Sequence, residues 1–138
     1  MIDKILMAYD GSVQAEKAYD SALDVASKYS APLSVVSVAR PLEPPVAVEF
    51  EAVLEHAREY YSRRFEALKE KAAALGISPD FEVLVGHPAE QIVSYAESKG
   101  VDLIVMGHRG GSLIHGWMLG SVARRVIAHA HCMVLVVR

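Results

Sequence analysis

Residues 101–121 read VDLIVMGHRGGSLIHGWMLGS, and the fold turns on how they are divided. Asp102 to Met106 is strand-length and apolar after its first residue. Gly107-His108-Arg109-Gly110-Gly111-Ser112 cannot continue such a strand, and nine residues then separate Gly110 from Gly120-Ser121. From Gly120 to about His129 the pattern is helical, and Met133 to Val137 (MVLVV) reads as a last apolar strand. This is strand, glycine-rich loop, helix, strand.

Working back toward the N-terminus, the same alternation recurs. His87-Pro88 opens a helix that Gly100 closes, with proline at the tolerated first position. Phe81 to Val85 is a strand, and Gly76 and Pro79 end the helix before it. That helix is expected from about Glu51 to Leu75, with an apolar stripe of Val53, Ala57, Tyr60, Leu68, Ala72 and Leu75. Pro41, Pro44 and Pro45 make Arg40 to Val48 a loop. Leu33 to Ala39 is a β-branched strand. Ala15, Ala18, Tyr19, Ala22, Ala26 and Tyr29 mark a helix through Ser30, and Lys4 to Tyr9 is a strand ending at Asp10-Gly11-Ser12.

Helices alternating with near-continuous apolar strands predict a parallel sheet covered on both faces. The expected architecture is α/β: one doubly wound domain over residues 1–138, a five-stranded parallel sheet in order 3-2-1-4-5, helices on both faces. The composition, 52% hydrophobic and 22% charged, suits such a core. No apolar run reaches the roughly 20 residues of a membrane span. The opening MIDKILMAYD lacks the features of a signal peptide, and the single cysteine, Cys132, cannot pair within the chain. A cytoplasmic location is expected. Net charge is −3 and the 14 basic residues are not gathered in one segment, which disfavours nucleic acid as a partner. The six histidines show no metal-ligand spacing, so no metal site is expected, and Cys132 is expected to be a buried hydrophobe.

Ligands of open parallel sheets bind outside the carboxyl ends of the strands. There, glycine allows close approach of an anion to backbone amides and tolerates positive φ, and a helix N-terminus favours negative charge. Gly110, Gly120 and Ser121 are therefore expected to bare amides and a hydroxyl as a cradle for phosphate. On spacing alone the same glycines serve equally well as turn and helix punctuation. Asp10 could likewise cap or brace its own turn. Arg124 and Arg125 are expected on the surface, and Trp117 and Leu119 either cover a ligand or pack on a partner. Neither a Walker-type phosphate loop nor G-x-G-x-x-G after the first strand is present.

The run Gly107-His108-Arg109-Gly110, nine residues, then Gly120-Ser121-Val122 resembles the universal stress protein signature G-x2-G-x9-G-[ST]. Ile5 to Ser12 (ILMAYDGS) and Gly86 to Ile92 (GHPAEQI) resemble other landmarks of that family, and the likeness runs the whole chain. Within the family this glycine pattern is similar to that of the ATP-binding subclass. The resemblance implies ATP, with or without Mg²⁺, as ligand. By position it implies Asp10 beside ribose and adenine, Val38 meeting adenine through its backbone, and Met106 and Gly107 against the nucleoside. Gly110, Gly120, Ser121 and Val122 would surround the phosphates with Arg109 close by; Ala8, where relatives often carry proline, would give only apolar contact. It also implies a homodimer through the C-terminal strand, whose open apolar edge invites pairing. No base-and-clamp arrangement for phosphoryl transfer is evident, so no catalytic residue is expected and a nucleotide-dependent switch is favoured. A slow ATPase or phosphotransferase, and an interaction module for AMP or another adenine nucleotide, remain open.

Overall fold

A computed structural model describes residues 1–41, 47–109 and 118–138. In chain order the elements are β1 (Ile5–Ala8), α1 (Val13–Tyr29), β2 (Leu33–Ala39), α2 (Ala47–Ala73), β3 (Asp80–Val85), α3 (Pro88–Lys99), β4 (Leu103–Gly107), α4 (Ser121–His129) and β5 (Met133–Val137). The five strands form one sheet in order β3-β2-β1-β4-β5, and every pairing is parallel. The predicted fold class and strand order are those observed.

Two apolar layers explain why the strands carry few polar residues. On one face Ile5, Met7, Leu33, Val35, Leu103 and Val105 pack under α1 and α2; on the other Leu6, Val36, Ile104 and Met106 pack under α3 and α4. Because successive strand residues point to opposite faces, only a run apolar at both parities can fill both layers. Ile5, Leu6 and Met7 are wholly buried, and each such side chain contributes about 1.5–3 kcal/mol. Tyr19 ties the first layer across its helices, its hydroxyl donating to the Leu68 carbonyl at 2.7 Å.

Two expectations are corrected in α2. The helix starts at Ala47, inside the expected loop, since nothing after Pro45 opposes helix. Its buried stripe is Ala57, Tyr61, Phe65, Leu68 and Ala72, whereas Tyr60 and Leu75 are exposed. From Ala57 a helix reaches both i+3 and i+4. The structure takes i+4 because Tyr61 stacks on Phe65, and Phe65 packs at a tilt against Phe81 of β3. Cys132 is only half-buried. Among the described residues no helix is long and apolar enough to cross a membrane.

Candidate functional site

β1 and β4 lie side by side, yet the chain leaves them in opposite directions, to β2 and to β5. That divergence opens a crevice at their carboxyl ends. A cavity of about 430 Å³ occupies it, a size typical of small-molecule sites.

Nine of the ten predicted site residues line this cavity: Ala8, Asp10, Val38, Met106, Gly107, Arg109, Gly120, Ser121 and Val122. Gly110 lies outside the described residues, as do His115 and Trp117. The floor is apolar, with Met106 buried and Ala8 and Val38 half-buried. Around it Asp10 is the one carboxylate and Arg40 and Arg109 the two guanidinium groups among the described lining residues.

Asp10 serves its own turn as well as the cavity. Its Oδ1 accepts the Ser12 N–H at 2.9 Å, while Ser12 Oγ accepts the Ala15 N–H at 3.1 Å and caps α1. Ser12, not Asp10, is therefore the cap. The turn is also fixed to β2, where the buried Ser37 hydroxyl donates to the Tyr9 carbonyl at 2.6 Å.

Gly120 acts differently from its part in the expected cradle. Gly120 donates its own N–H to the His108 carbonyl at 2.7 Å, so that amide is taken by the protein and is not free for an anion. Nor do Gly107 and Gly120 adopt positive φ; among the described glycines only residues 11, 76, 86 and 100 do. What they supply is close approach. A Cβ on Gly107 would lie 2.9 Å from the Gln14 Cβ and 3.0 Å from its carbonyl carbon. One on Gly120 would lie 2.9 Å from the Arg109 Cα. The glycines pin α1 and α4 against the end of β4, and the pinning delivers α4 end-on to the cavity.

The donors available to an anion are then those of the first helical turn. Ser121, Val122 and Ala123 all line the cavity, and their amides precede the first intrahelical bond, Arg124 N–H to Gly120 carbonyl. Gly120 offers no side-chain cap, and the first turn holds no acidic residue. Arg124, exposed as expected, donates to the Leu119 carbonyl at 3.1 Å and adds positive charge near the same end. The Nε of Arg109 is buried without an acceptor among the described residues.

The sequence reasoning missed Arg40, Val36, Tyr9, Ser12, Ala15, Pro88, Ile92 and Ala123 in the lining. A signal existed for two of them. Val36, Val38 and Arg40 are two residues apart, and period-two alternation carries one face of β2 into the cavity. Among the described residues no three His, Cys, Asp or Glu side chains come together as a metal site.

Fold and site define a doubly wound α/β protein with a crevice at its topological switch point. A model of the universal stress protein family matches residues 1–138. The chain is 37% identical to universal stress protein MJ0531 of Methanocaldococcus jannaschii, over 98% of this chain and 81% of that protein. It superposes on the protein MJ0577 with TM-score 0.87 at 32% identity, covering 99% of this chain and 96% of that one. A universal stress protein solved in complex with cAMP matches with TM-score 0.76 at 26% identity, covering 99% and 97%. The chain belongs to the universal stress protein family.

Proposed function

We propose that this protein is a nucleotide-dependent regulator of the ATP-binding subclass, holding an adenine nucleotide in the switch-point cavity. The observation that carries the reading is the bare N-terminus of α4, which opens into that cavity with neither a side-chain cap nor an acidic residue in its first turn. The apolar floor of Ala8, Val38 and Met106 suits a purine, Asp10 a ribose hydroxyl, and Arg109 with Ser121 and Val122 the phosphates. Gly107 and Gly120, by admitting Gln14 and Arg109 so closely, hold the two helix ends beside them. A Mg²⁺ ion would ride on the phosphates, with Asp10 the one carboxylate among the described lining residues to assist.

Calorimetry with ATP tests this. Binding is expected in wild type, and Arg109→Met should weaken it by about 10- to 100-fold, the range of a charge-assisted hydrogen bond. No binding at millimolar ATP ends the reading. The neighbour solved with cAMP favours a second reading, in which a nucleoside monophosphate is the ligand. Retained ligand identified by mass spectrometry after purification separates the two.

The switch is proposed to act in a homodimer. Among the described residues β5 has a single strand neighbour, β4, and Met133 and Leu135 on it are 52% and 36% exposed. Such an edge is stabilised by pairing with a second copy. Sedimentation should give a dimer at micromolar concentration and a monomer for Leu135→Lys. A monomeric wild type removes the dimer from the proposal.

A further inference from the structure

The Asp10–Gly11–Ser12 turn faces the cavity through its outer two residues. The middle residue has φ +82° and is closed on another side by α2. A Cβ at Gly11 would lie 3.1 Å from Nε of Arg64, 3.5 Å from its Cδ and 3.6 Å from its Cζ. The arginine therefore occupies the space that a side chain on the turn would fill.

Arg64 is itself held in place. Its Nη2 donates to the Tyr60 hydroxyl at 3.0 Å, and its Cζ sits 4.6 Å from the centre of the Tyr60 ring. One residue on, the Tyr61 hydroxyl reaches the Asp10 carbonyl at 3.5 Å. Tyr60, exposed and outside the apolar stripe, thereby gains a role its burial does not supply.

The guanidinium has no carboxylate partner among the described residues, and its Nε is buried without an acceptor there. An arginine fixed by an ion pair would need no further account; this one is fixed by a ring and a turn. Its field reaches the binding-site carboxylate's surroundings. Burial raises the Tyr61 phenol pKa most, Asp10 raises it further, and Arg64 lowers it. The other nearby acid, Glu16, accepts the Tyr9 hydroxyl.

We infer that Arg64 is a positioning residue: anchored on Tyr60, it props the Asp10–Gly11–Ser12 turn in the shape that presents Asp10 to the ligand. Its effect on affinity rests on the nucleotide reading above; its effect on the turn does not. The guanidinium plane and the stem both matter, because the plane fixes the anchor and the stem fills the gap beside Gly11.

Two measurements on the full chain test this, with Arg64→Met, Arg64→Lys and Tyr60→Phe. In ligand-free protein, amide exchange over residues 11–15 should quicken by about tenfold in Arg64→Met and by a smaller factor in the other two, with β4 amides unchanged. In calorimetry, Arg64→Met should weaken ATP binding by about tenfold, and by less than about twofold on an Asp10→Asn background, since the arginine acts through that turn. Unchanged exchange at residues 11–15 in all the variants that fold overturns the inference. So does an affinity loss that Asp10→Asn leaves undiminished. Should Arg64→Met not fold, Tyr60→Phe, which removes one exposed hydroxyl, decides by the same exchange reading. A wild type that binds no ATP sinks the nucleotide reading alone, and the exchange measurement still decides this one.

Discussion

α1 and α4 both begin at the carboxyl edge of the sheet, and both point their N-termini toward one cavity, but they are finished in opposite ways. α1 has a serine cap, an acidic residue (Glu16) in its first turn, and a preceding turn bound by Asp10 and Ser37. α4 has a glycine at the cap position, no acid in its first turn, and arginines at 124 and 125. A helix end with uncapped donors and nearby cations favours an anion over the water that otherwise satisfies it. The difference teaches a division of labour: α1 is the fixed wall, and α4 is the end whose first-turn amides the proposed function assigns to a ligand.

The largest expected effect comes from breaking the fixed wall. Gly107→Val would push a branched side chain into Gln14 in the first turn of α1, where even a Cβ stands 2.9 Å from its neighbour. Overpacking against backbone should cost about 3 kcal/mol. Urea unfolding measures this, and a loss under about 1 kcal/mol would show that the α1 end gives way and is no rigid wall.

Next is the pH dependence of the α1 layer. Burial, then Glu16 and Asp20, pushes the Tyr19 phenol up to about 12. The ordinary value near 10 applies in the unfolded chain, so between pH 10 and 12 the unfolded state holds fewer protons. Stability from this group is complete below pH 10 and declines as pH climbs toward 12, at no more than about 1.4 kcal/mol per pH unit. Tyr9, raised by burial and its bond to Glu16, acts in the same direction. Tyr19→Phe should be less stable at pH 8, through loss of the bond to Leu68, yet decline less steeply between pH 10 and 11.5. Parallel declines would remove Tyr19 from the alkaline transition.

How far the sequence reaches follows the same division. Strand order and layering are legible because β1, β2 and β4 are apolar at both parities, which only a doubly covered parallel sheet requires. Leu33–Ala39 is matched end to end. The choice between Tyr60 and Tyr61 is not local: adjacent tyrosines fit the helical period almost equally, and packing through Phe65 against Phe81, a strand away, settles it. At the cavity, the family resemblance picked out residues that share a wall, while the free amide expected of Gly120 is bound by the protein itself. Whether a glycine frees its amide or admits a neighbour depends on what stands opposite it. For Gly107 that is Gln14 and for Gly120 it is Arg109, and only the first of these contacts is remote in sequence. Arg40 was within reach by alternation from Val38.

The smallest effects discriminate best, because they set one serine against another. Ser12→Ala removes a hydroxyl that accepts the Ala15 N–H, and loss of such a cap costs about 1 kcal/mol of stability. Its effect on ATP affinity should stay within about twofold, since the hydroxyl is already engaged by the helix. Ser121→Ala removes a hydroxyl from an exposed first-turn position, which should change stability by less than about 0.5 kcal/mol. There the loss should appear in affinity, as about tenfold weaker ATP binding, the lower end of a hydrogen bond to a charged acceptor. Denaturation and calorimetry on both variants should therefore give a crossed pattern. Were Ser121→Ala to cost stability and leave affinity alone, the α4 end would be a structural terminus like that of α1. The asymmetry that motivates a ligand there would then have another cause.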